Sequence, residues 1–121
     1  KLVGKLPQAD AVESAKLVAV EDRQEVTFGD VVVRAHAMPG HTTGSLAYQI
    51  GDVLFVGDGL IFDTHGAARL LPNAMTIDAP RARESIAQLV HTIGETEIKL
   101  VVPSHSGEGT FAALREFVAL E

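Results

Sequence analysis

Two Gly-Asp pairs, Gly29-Asp30 and Gly51-Asp52, each stand between runs of strand-forming residues, and they constrain the fold of this chain more than any other feature. A two-residue connection can join only antiparallel strands. Before the first pair, residues 24–28 alternate polar and apolar, and after it residues 31–35 are rich in valine. Before the second, residues 45–50 put Leu46, Tyr48 and Ile50 on one face, and after it residues 53–56 are continuously apolar, the pattern of a buried strand. Two β-hairpins therefore follow one another in the first half of the sequence.

The second half changes period. Asp78 suits a helix N-cap and Pro80 its first turn, and Ala82, Ile86, Leu89, Val90 and Ile93 then recur at helical spacing until Gly94. Residues 98–102 read as a buried strand and residues 103–109 as a loop of small residues. Thr110 can cap a last helix that buries Phe111, Leu114, Phe117 and Val118. Between the hairpins and the first helix, residues 59–77 show no period and contain Gly66, Pro72 and Asn73, a long excursion of the kind that covers or lines a site. Residues 1–20 carry little signal: Leu6-Pro7 reads as coil, and residues 17–20 as a short strand or a turn of helix. No repeat or low-complexity tract occurs.

Composition narrows the class. With 46% apolar and 21% charged residues in 121, the chain is globular, one domain in length, and able to bury a core. A formal charge of −6 with ten scattered basic residues argues against nucleic acid or an anionic membrane as partner. No apolar run approaches the ~20 residues of a membrane span and no signal-peptide pattern opens the chain, so the cytoplasm is the expected compartment. The first residue is Lys1 and not methionine, which leaves room for sequence upstream. Without cysteine, any metal must be held by His, Asp or Glu.

Three segments place such residues alike. Pro39-Gly40-His41-Thr42 precedes a strand, Gly57-Asp58-Gly59 follows one, and Pro103-Ser104-His105-Ser106 follows another. Loops that leave neighbouring strands on one edge of a sheet converge, so two imidazoles and a carboxylate can meet there. That donor set suits zinc, iron or manganese.

The same residues resemble a known family. Met38-Pro39-Gly40-His41-Thr42-Thr43-Gly44-Ser45, then Leu54-Phe55-Val56-Gly57-Asp58, then Val102-Pro103-Ser104-His105 are similar, in order and spacing, to the last three motifs of the metallo-β-lactamase superfamily. The resemblance covers about residues 24–121, and the helix over 79–93 looks like the one before the last metal-binding strand of glyoxalase-II-like members. It implies an α/β (α+β) fold: the C-terminal half of an αββα sandwich, with a mostly antiparallel sheet and helices on one face. Residues 1–121 are then a single partial domain. By position, His41 is similar to the single histidine that completes the first metal site, Asp58 to the aspartate that bridges both metals and is here the expected catalytic residue, and His105 to the histidine of the second site. The implied cofactor is a divalent metal, zinc before iron or manganese. The implied activity is hydrolysis of an ester, thioester, lactone or similar bond of a small molecule.

One departure is large. The first metal motif of that family, His-x-His-x-Asp-His, occurs nowhere in this sequence. The metal site is therefore incomplete in this chain, and the chain alone is expected to be inactive. The face of the sheet that normally meets the other half would need a partner, either that N-terminal half or a second copy of the chain. A non-catalytic half-domain that dimerises or binds a partner is the competing reading.

Other residues receive structural readings. His36 lies within a strand pattern, His65 and Arg69 in the long excursion, and His91 on the polar side of the helix near its C-terminus, where the helix dipole favours imidazolium. Ser104 and Ser106 flank His105, but no Gly-x-Ser-x-Gly elbow exists to present a serine nucleophile.

Overall fold

The structure is a computed structural model that describes residues 20–93 and 98–120. Both hairpins form where the Gly-Asp turns place them: β1 (Glu25–Phe28) with β2 (Val31–Ala37), and β3 (Leu46–Ile50) with β4 (Val53–Gly57). Together with β7 (Leu100–Pro103) they make a five-stranded sheet in the order β1-β2-β3-β4-β7, antiparallel throughout except for the β4–β7 pair. A parallel neighbour requires a crossover. Here the crossover runs through a small hairpin, β5 (Ile61–Phe62) with β6 (Ala68–Arg69), a single 3-10 turn (Asn73–Met75) and helix α1 (Ala79–Ile93). Helix α2 (Phe111–Ala119) closes the described chain.

Both helices have the caps expected of them. The Asp78 carboxylate accepts from the Arg81 amide at 3.0 Å, and the Thr110 side chain accepts from the Ala113 amide at 3.1 Å. The excursion over 59–77, which shows no period in sequence, holds a small hairpin and a 3-10 turn. Two strands of two residues each are too short to show a period, and the Asp63 carboxylate, which accepts from the amides of His65 and Ala67, turns the chain between them. The readings over residues 1–19 and at Gly94 lie outside the described residues, and Val20 is in neither strand nor helix.

Register decides what each face of the sheet buries. Residues paired across strands share a face. One face carries Ala47, Leu54 and Val101, which with Val56 pack beneath Ile86, Leu89 and Ile93 of α1 and Leu114 of α2 in one apolar cluster. Toward the β1–β2 edge that face turns polar, with Gln49 bonded to His36 and an exposed Arg34–Glu25 ion pair beyond them. The opposite face is apolar without interruption: Val26, Phe28, Val31, Val33, Ala35 and Ala37 on the first hairpin, Leu46, Tyr48, Ile50, Val53 and Phe55 on the second, and Leu100 and Val102 on β7. Phe28, Val31, Tyr48 and Phe55 of that face are exposed. The return strand of the second hairpin, read from sequence as buried, buries Leu54 and Val56 on one side and leaves Phe55 exposed on the other.

Candidate metal centre

One edge of the sheet gathers the end of β2, the start of β3, and the ends of β4 and β7, because Ala37 pairs with Leu46 and Gly57 with Pro103. The three loops singled out in the sequence leave from this edge. At the end of β4 the register shifts, so that Val56 is passed over between the Phe55–Val102 and Gly57–Pro103 pairs. Such a bulge bends a strand and re-aims the residues after it. Gly57 then takes φ +57°, a left-handed conformation that costs a side chain, and the next residue is Asp58. The Ser104 amide donates to the Gly57 carbonyl at 2.9 Å and so ties the His105 loop to the Asp58 loop.

The His41 loop is closed on itself. The Met38 amide donates to the Ser45 carbonyl at 2.8 Å, the Thr42 amide to the Ser45 hydroxyl at 3.1 Å, and the Gly40 amide to the Thr42 carbonyl at 2.9 Å. Ser45, the last residue of the quoted motif, is therefore what holds the turn in shape.

These supports bring all three candidate ligands together, with Asp58 in the middle. His105 Nδ1 lies 2.6 Å from Asp58 Oδ1, a hydrogen bond, and His41 Nε2 lies 3.5 Å from Asp58 Oδ2. The latter separation is long for a hydrogen bond, but two ligand atoms each about 2.0–2.1 Å from a tetrahedral ion stand roughly 3.3 Å apart. His41 Nδ1 is buried without a hydrogen-bond partner. The imidazole is thus held by its loop and not by a second-side hydrogen bond. His105 is the most open of the three, with 62% of its side chain exposed against 30% for Asp58 and 23% for His41.

The donor chemistry fits a divalent metal, and the His41–Asp58 pair has the spacing of two ligands. The trio does not surround a common centre. Among the described residues no group of three or more His, Cys, Asp or Glu side chains is arranged to hold an ion. Each histidine meets Asp58 on a different carboxylate oxygen, and the 2.6 Å His105–Asp58 contact is a direct hydrogen bond, closer than two ligands of one ion stand.

The remaining candidates lie elsewhere. His36 is 4% exposed and its Nε2 is 3.0 Å from Gln49 Oε1, a satisfied core histidine. His91 is exposed on α1, and His65 is exposed in the loop after β5. Arg69 pairs with Asp63 at 2.8 Å. Ser106 uses its hydroxyl on the backbone, accepting from the Phe62 amide and donating to the Gly107 carbonyl, which docks β5 against the His105 loop. It is not poised as a nucleophile.

No family model matches the chain. Solved structures do. An archaeal metallo-β-lactamase superfamily protein from Sulfolobus tokodaii superposes with a TM-score of 0.65 at 21% identity, over 85% of this chain and 38% of that one. A metallo-β-lactamase from Pontibacter korlensis gives 0.67 at 21%, over 93% and 52%. ETHE1 from Myxococcus xanthus gives 0.63 at 24%, over 84% and 44%. The chain shares part of the fold of these metallo-β-lactamase superfamily structures. It spans about half or less of the length of those three proteins, in keeping with a metallo-β-lactamase fold represented by its C-terminal part. One curated relative, a "probable polyketide biosynthesis zinc-dependent hydrolase" (BaeB) of Bacillus velezensis, is 43% identical over 42 residues, 35% of this chain and 19% of that protein. Within this metallo-β-lactamase fold, the edge that carries His41, Asp58 and His105 is the one the sequence motifs mark.

Proposed function

We propose that this chain supplies the C-terminal half of the metal centre of a metal-dependent hydrolase that opens an ester, thioester, lactone or similar bond of a small molecule. The observation that carries the reading is the placement of Asp58 between His41 and His105 at one sheet edge, one oxygen toward each imidazole. His41, Asp58 and His105 would hold zinc, or alternatively iron or manganese, as imidazole and carboxylate donors allow. When bound, such a metal supplies a nucleophilic hydroxide from water and polarises the bond to be cleaved. The chain's own residues have narrower tasks. Asp58 ties the two histidine loops to one carboxylate, His41 is fixed by the Ser45-closed turn, and His105 stands at the solvent side, where a substrate arrives.

The zinc-dependent hydrolase relative supports both the metal and the reaction class. On this reading the protein works in the cytoplasm, and no helix among the described residues is long and apolar enough to cross a membrane. The partner that covers the apolar sheet face is the half-domain carrying His-x-His-x-Asp-His. The test is an assay of zinc-loaded protein with chromogenic esters, thioesters and lactones. This chain alone should show no turnover, and the chain joined to a segment bearing His-x-His-x-Asp-His should show turnover that a chelator abolishes. Turnover that survives the chelator would contradict the proposal.

A second reading has its own support. A non-catalytic half-domain that dimerises or docks a partner draws on the apolar sheet face, where Phe28, Val31, Tyr48 and Phe55 are exposed. It predicts an assembly whose formation is indifferent to Asp58→Ala.

A further inference from the structure

The Pro39–Gly40–His41 segment is gripped from one side. Its three successive carbonyl oxygens each accept a hydrogen bond from α1 or the residues that lead into it: Pro39 from the Ser85 hydroxyl at 2.7 Å, Gly40 from the Asp78 amide at 2.9 Å, and His41 from the Ile77 amide at 3.3 Å. The approach is close because residue 40 has no side chain. A Cβ there would lie 2.4 Å from the Cα and Cβ of Ala82.

Two of the three donors are main-chain amides, so any residue at 77 and 78 but proline would supply them. The third is a side chain, and its position is unusual. Ser85 is 6% exposed and falls in the buried stripe of α1 among Ala82, Ile86, Leu89 and Ile93. A serine inside a helix gains nothing in propensity over alanine, and a buried hydroxyl is costly unless bonded. That hydroxyl is satisfied by the 2.7 Å bond it donates to the Pro39 carbonyl. Gly40, at φ +148°, is the joint between that anchored carbonyl and His41. Among the described residues Nδ1 of His41 has no hydrogen-bond partner, and Nε2 stands 3.5 Å from Asp58, so the grip on the backbone does much to fix the ring.

We propose that Ser85 is a positioning residue for His41: its hydroxyl closes a three-carbonyl clamp that fixes the loop on which the imidazole meets Asp58. The inference rests on the metal reading above and extends it to a residue outside the three motifs.

The test uses the full chain in four forms: wild type, Ser85→Ala, Ser85→Thr, and Leu114→Ala as a core truncation outside the clamp. Two readouts are taken, amide hydrogen exchange at Ile77 and Asp78 by NMR and cobalt(II) binding by visible absorption. Ser85→Ala should raise exchange at those two amides about tenfold against amides of central α1, and weaken cobalt binding about tenfold, the low end for loss of a residue that orients a ligand. Ser85→Thr, which keeps the hydroxyl, should restore both. Leu114→Ala should lower thermal stability without singling out Ile77 and Asp78. Wild-type exchange and cobalt affinity in Ser85→Ala, or equal selective losses in Leu114→Ala, would overturn the clamp. Absence of cobalt binding in the wild type itself would instead remove the metal reading, and the proposal with it.

Discussion

Two aspartates five residues apart in sequence do opposite work. Asp58 holds its carboxylate between two imidazoles, whereas Asp63 is saturated from within its own loop. The Arg69 guanidinium above all, then the amides of Ala67 and His65, lower the Asp63 carboxyl from 3.8 to about 2. A folded-state value below the unfolded one means that the contribution is complete above the unfolded value and is lost as pH falls through about 2. Asp63→Asn should therefore lower the thermal midpoint slightly at neutral pH, Arg69 being open to solvent, and the gap to wild type should close as pH falls from 3.8 toward about 2. Melting curves across that range check it, and a gap independent of pH would contradict it. Arg69 is thus engaged in shaping its loop. At this scale the sequence was informative where spacing and neighbours mattered and silent where tertiary contact decided. That His41, Asp58 and His105 would meet at one sheet edge was legible from their strand-end loops, while the Ser85 contact was invisible because it reaches a carbonyl 46 residues away.

The elements followed from local chemistry. Gly-Asp turns set both hairpins, Asp78 and Thr110 capped the helices, and the stripe of Ala82, Ile86, Leu89 and Ile93 faced the core as its spacing required. What escaped was the β5–β6 hairpin, whose strands of two residues leave no alternation to detect and depend on Asp63 and on Ser106 for their place. The join between the His41 loop and α1 belongs to this scale as well, and Gly40 is its tightest point. Gly40→Ala must put a Cβ into Ala82 at 2.4 Å and hold a side chain at φ +148°. We expect a loss of about 2–4 kcal/mol in urea denaturation, from backbone strain and overpacking together. A loss below ~0.5 kcal/mol, the range of ordinary surface changes, would mean that α1 does not press on the loop.

At the scale of the whole molecule, the described residues form a sheet whose two faces differ in a way that no single element shows. Its helices cover β3, β4 and β7, and the helix-bearing face becomes polar where that cover ends, yet the opposite face stays apolar from β1 to β7. A sheet made this way is suited to a second layer. Phe55→Lys, in the middle of that face and 39% exposed, should reduce binding of a hydrophobic dye by the isolated chain and weaken any assembly, at a cost of about 1 kcal/mol or less to its own stability. Unchanged dye binding, seen by fluorescence, would show that this face is not what the chain presents. The central claim remains the one about chemistry: that His41, Asp58 and His105 are metal ligands with Asp58 their hub. Native mass spectrometry of the chain titrated with zinc tests it most directly, because it reports mass, assembly and bound ion together. The account predicts a zinc-bound species in the wild type that is lost from Asp58→Ala, with the protein still folded. Equal zinc occupancy in both proteins, or none in the wild type at any concentration, would contradict it.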